Sequence, residues 1–267
     1  MKFKKYLNEK TFNIGKDVDF LYKKYFKKHI KLFQSGKIEA FKDDLNKTNG
    51  VYGVISSSLL PSKKAQKASE LNPVNIEMGV FNTSSYYQPF DKEIRLTLNK
   101  PALDLLFRYK TVDDIRKALG DKTYERWSSE INEPSIKGTI YHELSHWMDD
   151  TFHNKHITKK LIKVKEVGSR DVLAKGFGNV NLGTFELDAQ VHAIKQLKRN
   201  FRKTWDDVTW DFIVQHKSSF DVVFKIVKHA SKKDRNSYMK RLYKRLNREK
   251  LLGKSLINGF NDFIRQM

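Results

Sequence analysis

The stretch Tyr141-His142-Glu143-Leu144-Ser145-His146-Trp147 is the most informative part of this 267-residue sequence. On a helix, His142 and His146 project their imidazole rings from one face, about one turn apart. That spacing lets both rings reach a single Zn²⁺ at about 2.0–2.1 Å. Glu143 can then lie over the open position of the metal and accept a proton from bound water. The stretch therefore predicts a helical metal site.

The residues around the motif favour this helix. An apolar stripe at helical spacing predicts a helix from Ser135 to about Phe152, after a break at residues 132–134. The stripe places the two histidines and Glu143 on a different face from the core. Its members are Ile140, Leu144, Trp147, Met148 and Phe152.

A catalytic zinc site also needs a third protein ligand and one open position. The later segment Thr184-Phe185-Glu186-Leu187-Asp188-Ala189-Gln190-Val191-His192-Ala193 offers one. The combination of HELSH with a helix reading ELDAQVHA resembles the gluzincin metallopeptidases. Among these, the sequence pattern most resembles that of the HtpX-like, CAAX-processing and ImmA/IrrE-like peptidases. In these families a glutamate on a second helix completes a His₂Glu zinc site.

The resemblance covers about residues 136–195 and implies a role for each matching residue. His142 and His146 match the histidine ligands of zinc, and Glu143 matches the general base. Glu186 matches the third ligand, with Asp188 as the alternative. The implied fold is α+β, with a small sheet, an active-site helix and a glutamate helix.

Further residues are candidates for supporting roles. Gln190 falls where the family usually has an Asp or Asn that orients a ligand histidine, and an amide oxygen can do the same. Asp149, three residues after His146, is a candidate for the same kind of support or is simply solvated. The families also use a Tyr, His or Arg to stabilise the oxyanion. His192, Tyr86 and Tyr87 are candidates, and each is otherwise a packing or surface residue.

The resemblance implies hydrolysis of a peptide bond in a protein or peptide substrate. Zinc lowers the pKa of its water, Glu143 takes the proton, and the hydroxide attacks the carbonyl. Glu143 then returns the proton to the leaving amine. The strand Glu93–Leu98 is the implied edge strand that pairs with an extended substrate.

Composition narrows the chemistry and suggests partners. The chain contains no cysteine, which excludes disulfide scaffolds, cysteine-ligated zinc, iron–sulfur clusters and thiol nucleophiles. With 52 Lys+Arg against 31 Asp+Glu, the net charge is +21. Such a surface attracts nucleic acid, anionic lipid or acidic protein, or the lysines merely solvate helices.

Two basic helices carry much of this charge. The stretch Lys23–Lys31 predicts an amphipathic helix that lies on a phosphate backbone, on a membrane surface or simply in water. The C-terminal tail predicts another, with Leu242 and Leu246 on its apolar face and basic residues that either track phosphates or are solvated. These basic residues are Lys240, Arg241, Lys244, Arg245 and Arg248.

The sequence predicts three regions: a basic helical region (residues 1–48), a zincin-like core (49–200) and a basic helical region (201–267). Strands are expected at Val51–Leu60, Asn75–Phe81 and Glu93–Leu98, with a polar connector at residues 62–70 and a loop at residues 82–89.

We expect no signal peptide and no transmembrane segment, because no apolar run approaches about 18 residues. The expected location is cytoplasmic or virion-associated, since the Lys/Asn-rich composition is compatible with a phage protein. The alternative to a peptidase is a nucleic-acid-associated or virion structural protein that uses a zincin-like core as a scaffold.

Overall fold

The structure is a computed structural model that describes residues 14–83, 85–99, 103–104 and 107–153, together with residues 191, 194, 240–242, 244–246 and 258. The chain forms two compact units, Met1–Lys155 and His156–Met267. The predicted region boundaries after residues 48 and 200 stay a prediction.

The described part of the first unit, from residue 14 onward, begins with helices, as predicted. A π-helical turn, Tyr22–Phe26, joins the first two of them. Their apolar side is buried in the core through Val18, Leu21, Phe26 and Ile30. The helices described in this unit are α1 (Gly15–Leu21), α2 (Lys27–Gln34), α3 (Ile38–Lys47), α4 (Lys63–Leu71), α5 (Val112–Leu119), α6 (Asp121–Glu130) and α7 (Glu133–His153).

A small mixed sheet shares this core, so the fold is α+β as expected. Its strands are β1 (Val51–Ser56), β2 (Asn75–Phe81), β3 (Tyr86–Gln88) and β4 (Glu93–Asn99), in the order β1-β2-β4-β3. β2 is antiparallel to β1 and parallel to β4, and β3 is antiparallel to β4. The alternation that predicted β4 is confirmed, because Ile94, Leu96 and Leu98 are buried.

Four sequence expectations about this region are wrong. The strand Glu93–Asn99 is not an edge strand, because β2 pairs with it on one side and β3 pairs with residues 93–95 on the other. Residues 63–71 of the expected connector form α4, which Ser62 caps by accepting a hydrogen bond from the Ala65 N–H at 3.1 Å. The expected loop contains β3. The predicted strand from Val51 also ends early, at Ser56.

The long helix α7 lies against the sheet and the N-terminal helices. The Asn132 side chain accepts a hydrogen bond from the Ser135 N–H at 2.9 Å and so caps its first turn. Pro134 lies in that turn, where a missing N–H costs nothing. The helix packs against β3, β4, α1 and α4, with Ile140, Leu144 and Trp147 fully buried.

In the second unit, the described residues are few. Val191 and Ile194 are helical and buried. Residues 240–242 and 244–246 are also helical, with Leu242 and Leu246 buried. Across the described part of the chain, no helix is both long and apolar enough to cross a membrane.

Candidate metal centre

The motif lies at the middle of α7, in a part of the helix that is largely buried. Residues 143–148 are all buried, including Glu143 at 6% exposure and His146 at 5%. His142 is half-buried. Removing a carboxylate and an imidazole from water costs free energy unless they gain partners of comparable strength. Their burial therefore points to a ligand or a dedicated polar environment rather than to a solvated helix face.

The two histidines converge on one point. Their Nε2 atoms are 2.9 Å apart, and the rings meet edge to face with centroids 4.5 Å apart. One ligand atom from each of His142, Glu143 and His146 can be chosen so that all three lie within 4.8 Å of one another. The helical spacing predicted from the sequence thus brings these three side chains together.

This donor set fits zinc. A tetrahedral zinc bound at 2.0–2.1 Å holds two ligand nitrogens about 3.3 Å apart, so the two rings need only a small rotation to bind it. Two imidazoles with a nearby carboxylate form the mixture of donors that zinc prefers, whereas magnesium and calcium prefer oxygen donors alone. His142 and His146 would hold the metal through Nε2.

The second predicted segment lies outside the described residues. Glu186, its alternative Asp188, and the supporting candidates Gln190 and His192 all fall there. Their predicted roles stay predictions. Asp149 is described, is half-buried and belongs to α7, but its supporting role is likewise untested.

Both tyrosine candidates for an oxyanion stabiliser have carboxylate partners. The Tyr87 hydroxyl donates to Asp150 at 2.6 Å, and the Tyr86 hydroxyl donates to Glu93 at 3.1 Å. Burial raises the pKa of Tyr87, and the hydrogen bond to Asp150 raises it further. Either hydroxyl would have to leave its carboxylate before it could donate to a substrate oxygen.

A polar network near the end of α7 was not anticipated from the sequence. The Asn72 carbonyl accepts a hydrogen bond from Trp147 Nε1 at 2.9 Å. The Asn72 amide donates to the Tyr87 hydroxyl at 3.2 Å and to Thr151 Oγ1 at 3.3 Å. With the Tyr87–Asp150 bond, this network ties the last turns of α7 to β3 and to the end of α4. Asp150 could have pointed to this network from the sequence, because it is one helical turn beyond His146 and on the same face.

The other end of α7 is anchored by a buried lysine. Lys137 contacts Asp19 at 2.7 Å and Glu133 at 2.6 Å, and its ammonium lies 5.1 Å from the centre of the Tyr22 ring. Burial alone would lower the pKa of Lys137, but the hydrogen bonds to the two carboxylates raise it above its ordinary value. The metal motif therefore lies between two polar anchors that hold α7 in place.

The basic C-terminal segment is helical where it is described. Lys240 and Lys244 are exposed, and Arg241 and Arg245 are half-buried beside the buried leucines. This agrees with the amphipathic pattern predicted from the sequence. Arg248 lies outside the described residues, and nucleic-acid binding by this segment stays a prediction.

No protein-family model, curated protein or solved structure gives a significant match to the chain. The geometry of His142, Glu143 and His146 is therefore the main evidence on function. Two converging imidazoles can bind a metal cation, and an adjacent carboxylate can accept a proton from water.

Proposed function

We propose that this protein is a zinc-dependent metallopeptidase of the gluzincin type, with the α7–sheet assembly as a zincin-like core. The observation that supports this most directly is the 2.9 Å approach of the His142 and His146 Nε2 atoms, with Glu143 directly beside them. A structural role for two such histidines would not require a carboxylate at the same point.

His142 and His146 would hold the zinc, and Glu186 stays the third ligand that the sequence predicts. When bound, zinc would act as a Lewis acid that polarises a substrate carbonyl and lowers the pKa of water, so that the water gives up a proton more readily. The chain itself supplies positioning, because the anchors on both sides of the motif hold α7 in place while substrate binds.

Glu143 would be the general base and then the general acid. Its carboxylate accepts a proton from water as the water oxygen bonds to the peptide carbonyl carbon. It then delivers that proton to the nitrogen as the carbon–nitrogen bond breaks. Because Glu143 is buried, few bulk waters compete for its carboxylate.

The test combines zinc content with cleavage of a general peptide library. We expect one zinc per wild-type chain and measurable cleavage. Glu143→Gln should retain the zinc and cleave about 10²–10⁴-fold more slowly, because only the proton acceptor is lost. The matched control is Glu70→Gln, a change at an exposed glutamate that should alter neither property.

Wild-type protein that fails to take up zinc even when zinc is added would contradict the proposal. So would a Glu143→Gln variant that cleaves peptides at the wild-type rate.

A further inference from the structure

A second functional surface lies on the N-terminal helices. Between Asp19 and Glu39 the chain carries six lysines and no acidic residue. The structure exposes all of these lysines. They are Lys23, Lys24, Lys27, Lys28, Lys31 and Lys37.

Four of these lysines form what we call the lysine face, namely Lys23, Lys24, Lys27 and Lys31. Lys28 contacts Asp44 at 2.5 Å, but no residue of the lysine face forms an ion pair within the described part of the chain. At about 1.5 Å of rise per residue, the face extends for about 12 Å along the π-helical turn and α2. Uncompensated like charges on one short surface create a strong positive potential there.

The opposite side of the same helical segment is committed to the core. Phe26, Ile30 and Phe33 are at most 1% exposed. An interfacial helix binds a bilayer by burying its apolar side among the lipid chains, and here that side is already buried in protein. The membrane alternative left open by the sequence is therefore disfavoured, whereas a phosphate backbone needs only the charged side.

Aromatic rings lie next to the lysine face. The Lys24 ammonium is 5.4 Å from the centre of the half-buried Phe20 ring and 5.3 Å from that of Tyr25. Gly53 of β1 leaves room for Tyr25, since a Cβ at this position would lie 2.6 Å from the Tyr25 ring. The rings therefore hold Lys24 beside the other lysines and add surface against which sugars or bases can pack.

We propose that the lysine face binds the phosphate backbone of nucleic acid without sequence preference. Lysine supplies point charges rather than the planar fork with which arginine reads guanine, so phosphate contacts without base readout are expected. This proposal does not depend on zinc or on peptidase activity.

The test is fluorescence anisotropy of the full chain with a labelled duplex DNA of arbitrary sequence, across a range of NaCl concentrations. The test variant replaces the lysine face with glutamine. The control variant removes the same charge from four exposed lysines elsewhere. The test variant carries Lys23→Gln, Lys24→Gln, Lys27→Gln and Lys31→Gln; the control carries Lys63→Gln, Lys67→Gln, Lys117→Gln and Lys122→Gln.

We expect the wild-type affinity to fall steeply with salt. The slope of log K against log salt should be shallower in the test variant, by about 0.9 for each phosphate that a lysine no longer neutralises and by up to about 3.6 for four. The control should keep a slope close to that of the wild type. A variant with only Lys27→Gln and Lys31→Gln should show about half of the change, and it covers the case in which the full variant folds poorly.

Equal losses in the test and control variants would overturn the proposal, because net charge rather than the lysine face would then govern binding. Absence of DNA binding by the wild type at low salt would overturn it as well. Binding of the same proteins to vesicles of phosphatidylcholine and phosphatidylserine is measured in parallel. Tighter binding to these vesicles than to DNA, lost only in the test variant, would assign the face to anionic lipid instead.

Discussion

Two histidine clusters occur in the same core, and they differ in what each imidazole faces. His29, at 8% exposure, contacts the carboxylate of Asp44 through Nδ1 and stacks on Tyr52 with ring centroids 3.7 Å apart. His146, at 5% exposure, faces another imidazole nitrogen, that of His142. Burial is therefore similar in the two clusters, but His29 faces a carboxylate whereas His146 faces another imidazole.

The difference gives a way to test whether the motif histidines are metal ligands rather than structural histidines. At His29, the Nδ1 atom lies against a carboxylate, which can accept an imidazole proton. At the motif, each neutral imidazole has one donor and one acceptor nitrogen, and the two Nε2 atoms can share only one proton. A cation between them would instead bind both Nε2 lone pairs, with the proton of each ring on Nδ1.

The largest expected effect is loss of metal binding. His146→Ala should abolish stoichiometric zinc binding, because it removes one of the converging nitrogens. His29→Ala removes an imidazole that is equally buried and should leave zinc binding unchanged. Elemental analysis of the two purified variants measures this directly. Equal zinc content in both would show that the convergence at the motif is not a metal site.

Zinc should also stabilise the protein against unfolding. At a free zinc concentration 100 times the Kd, the free energy of unfolding should rise by about 2.7 kcal/mol. His142→Ala should show no such rise, whereas His29→Ala should keep it. Urea unfolding with and without zinc measures the difference, and a rise of the same size in His142→Ala would contradict the assignment.

Without zinc, the two clusters should differ in the opposite direction. Asp44→Ala removes the carboxylate that the buried His29 Nδ1 contacts and should lower the free energy of unfolding by about 1–3 kcal/mol. Metal-free His142→Ala should lower it by less, about 1 kcal/mol at most, if that site is arranged for a ligand rather than for stability. Urea unfolding of both metal-free variants measures the two losses. A larger loss in His142→Ala than in Asp44→Ala would show that the motif is arranged for stability rather than for a ligand.

The smallest expected effect is on the pH dependence of stability. Burial lowers the pKa of His29 below its ordinary value of 6.5, and this outweighs the opposing effect of Asp44. The unfolded chain therefore binds a proton at His29 before the folded protein does, so stability falls as the pH falls through this range. Metal-free wild type should lose more stability between about pH 7.5 and 5.5 than His29→Gln, in urea unfolding at both values.

Asp44 should not contribute to the change in stability between these two pH values. Burial by itself raises the pKa of Asp44, but the hydrogen bond from Lys28 and the charge of His29 bring it below its ordinary value of 3.8. The stability that this carboxylate contributes is present above that value and is lost only at lower pH. An identical pH dependence in wild type and His29→Gln would show that His29 is not the titrating group.

Much of the fold could be predicted wherever apolar side chains are large and periodic. The stripe from Ile140 to Met148 predicts α7, and the alternation at Ile94, Leu96 and Leu98 predicts β4. The helix α4 was missed because it buries only Ala65, Ala68 and Ser69, which give a weak hydrophobic signal. β3 was missed because three residues are too few to show alternation, and only the neighbouring β4 makes them a strand.

In the candidate site, too, the local contacts could be predicted from the sequence and the contacts between distant residues could not. The approach of His142 and His146 follows from helical geometry, so their spacing in the sequence was sufficient to predict it. The network around Asn72 joins residues far apart in the chain: Trp147 is 75 residues away from Asn72, and Tyr87 is 63 residues away from Asp150. No local pattern encodes such contacts.

The sequence by itself determined the charge of the chain, the absence of thiol chemistry and the helical spacing of His142 and His146. These depend only on composition and on the local geometry of the backbone. The tertiary structure decided that Glu143 and His146 are buried, that β4 lies inside the sheet and that the lysine face points away from the core. Those properties depend on which distant apolar surfaces pack together, since burial is gained by the whole unit rather than by any one segment.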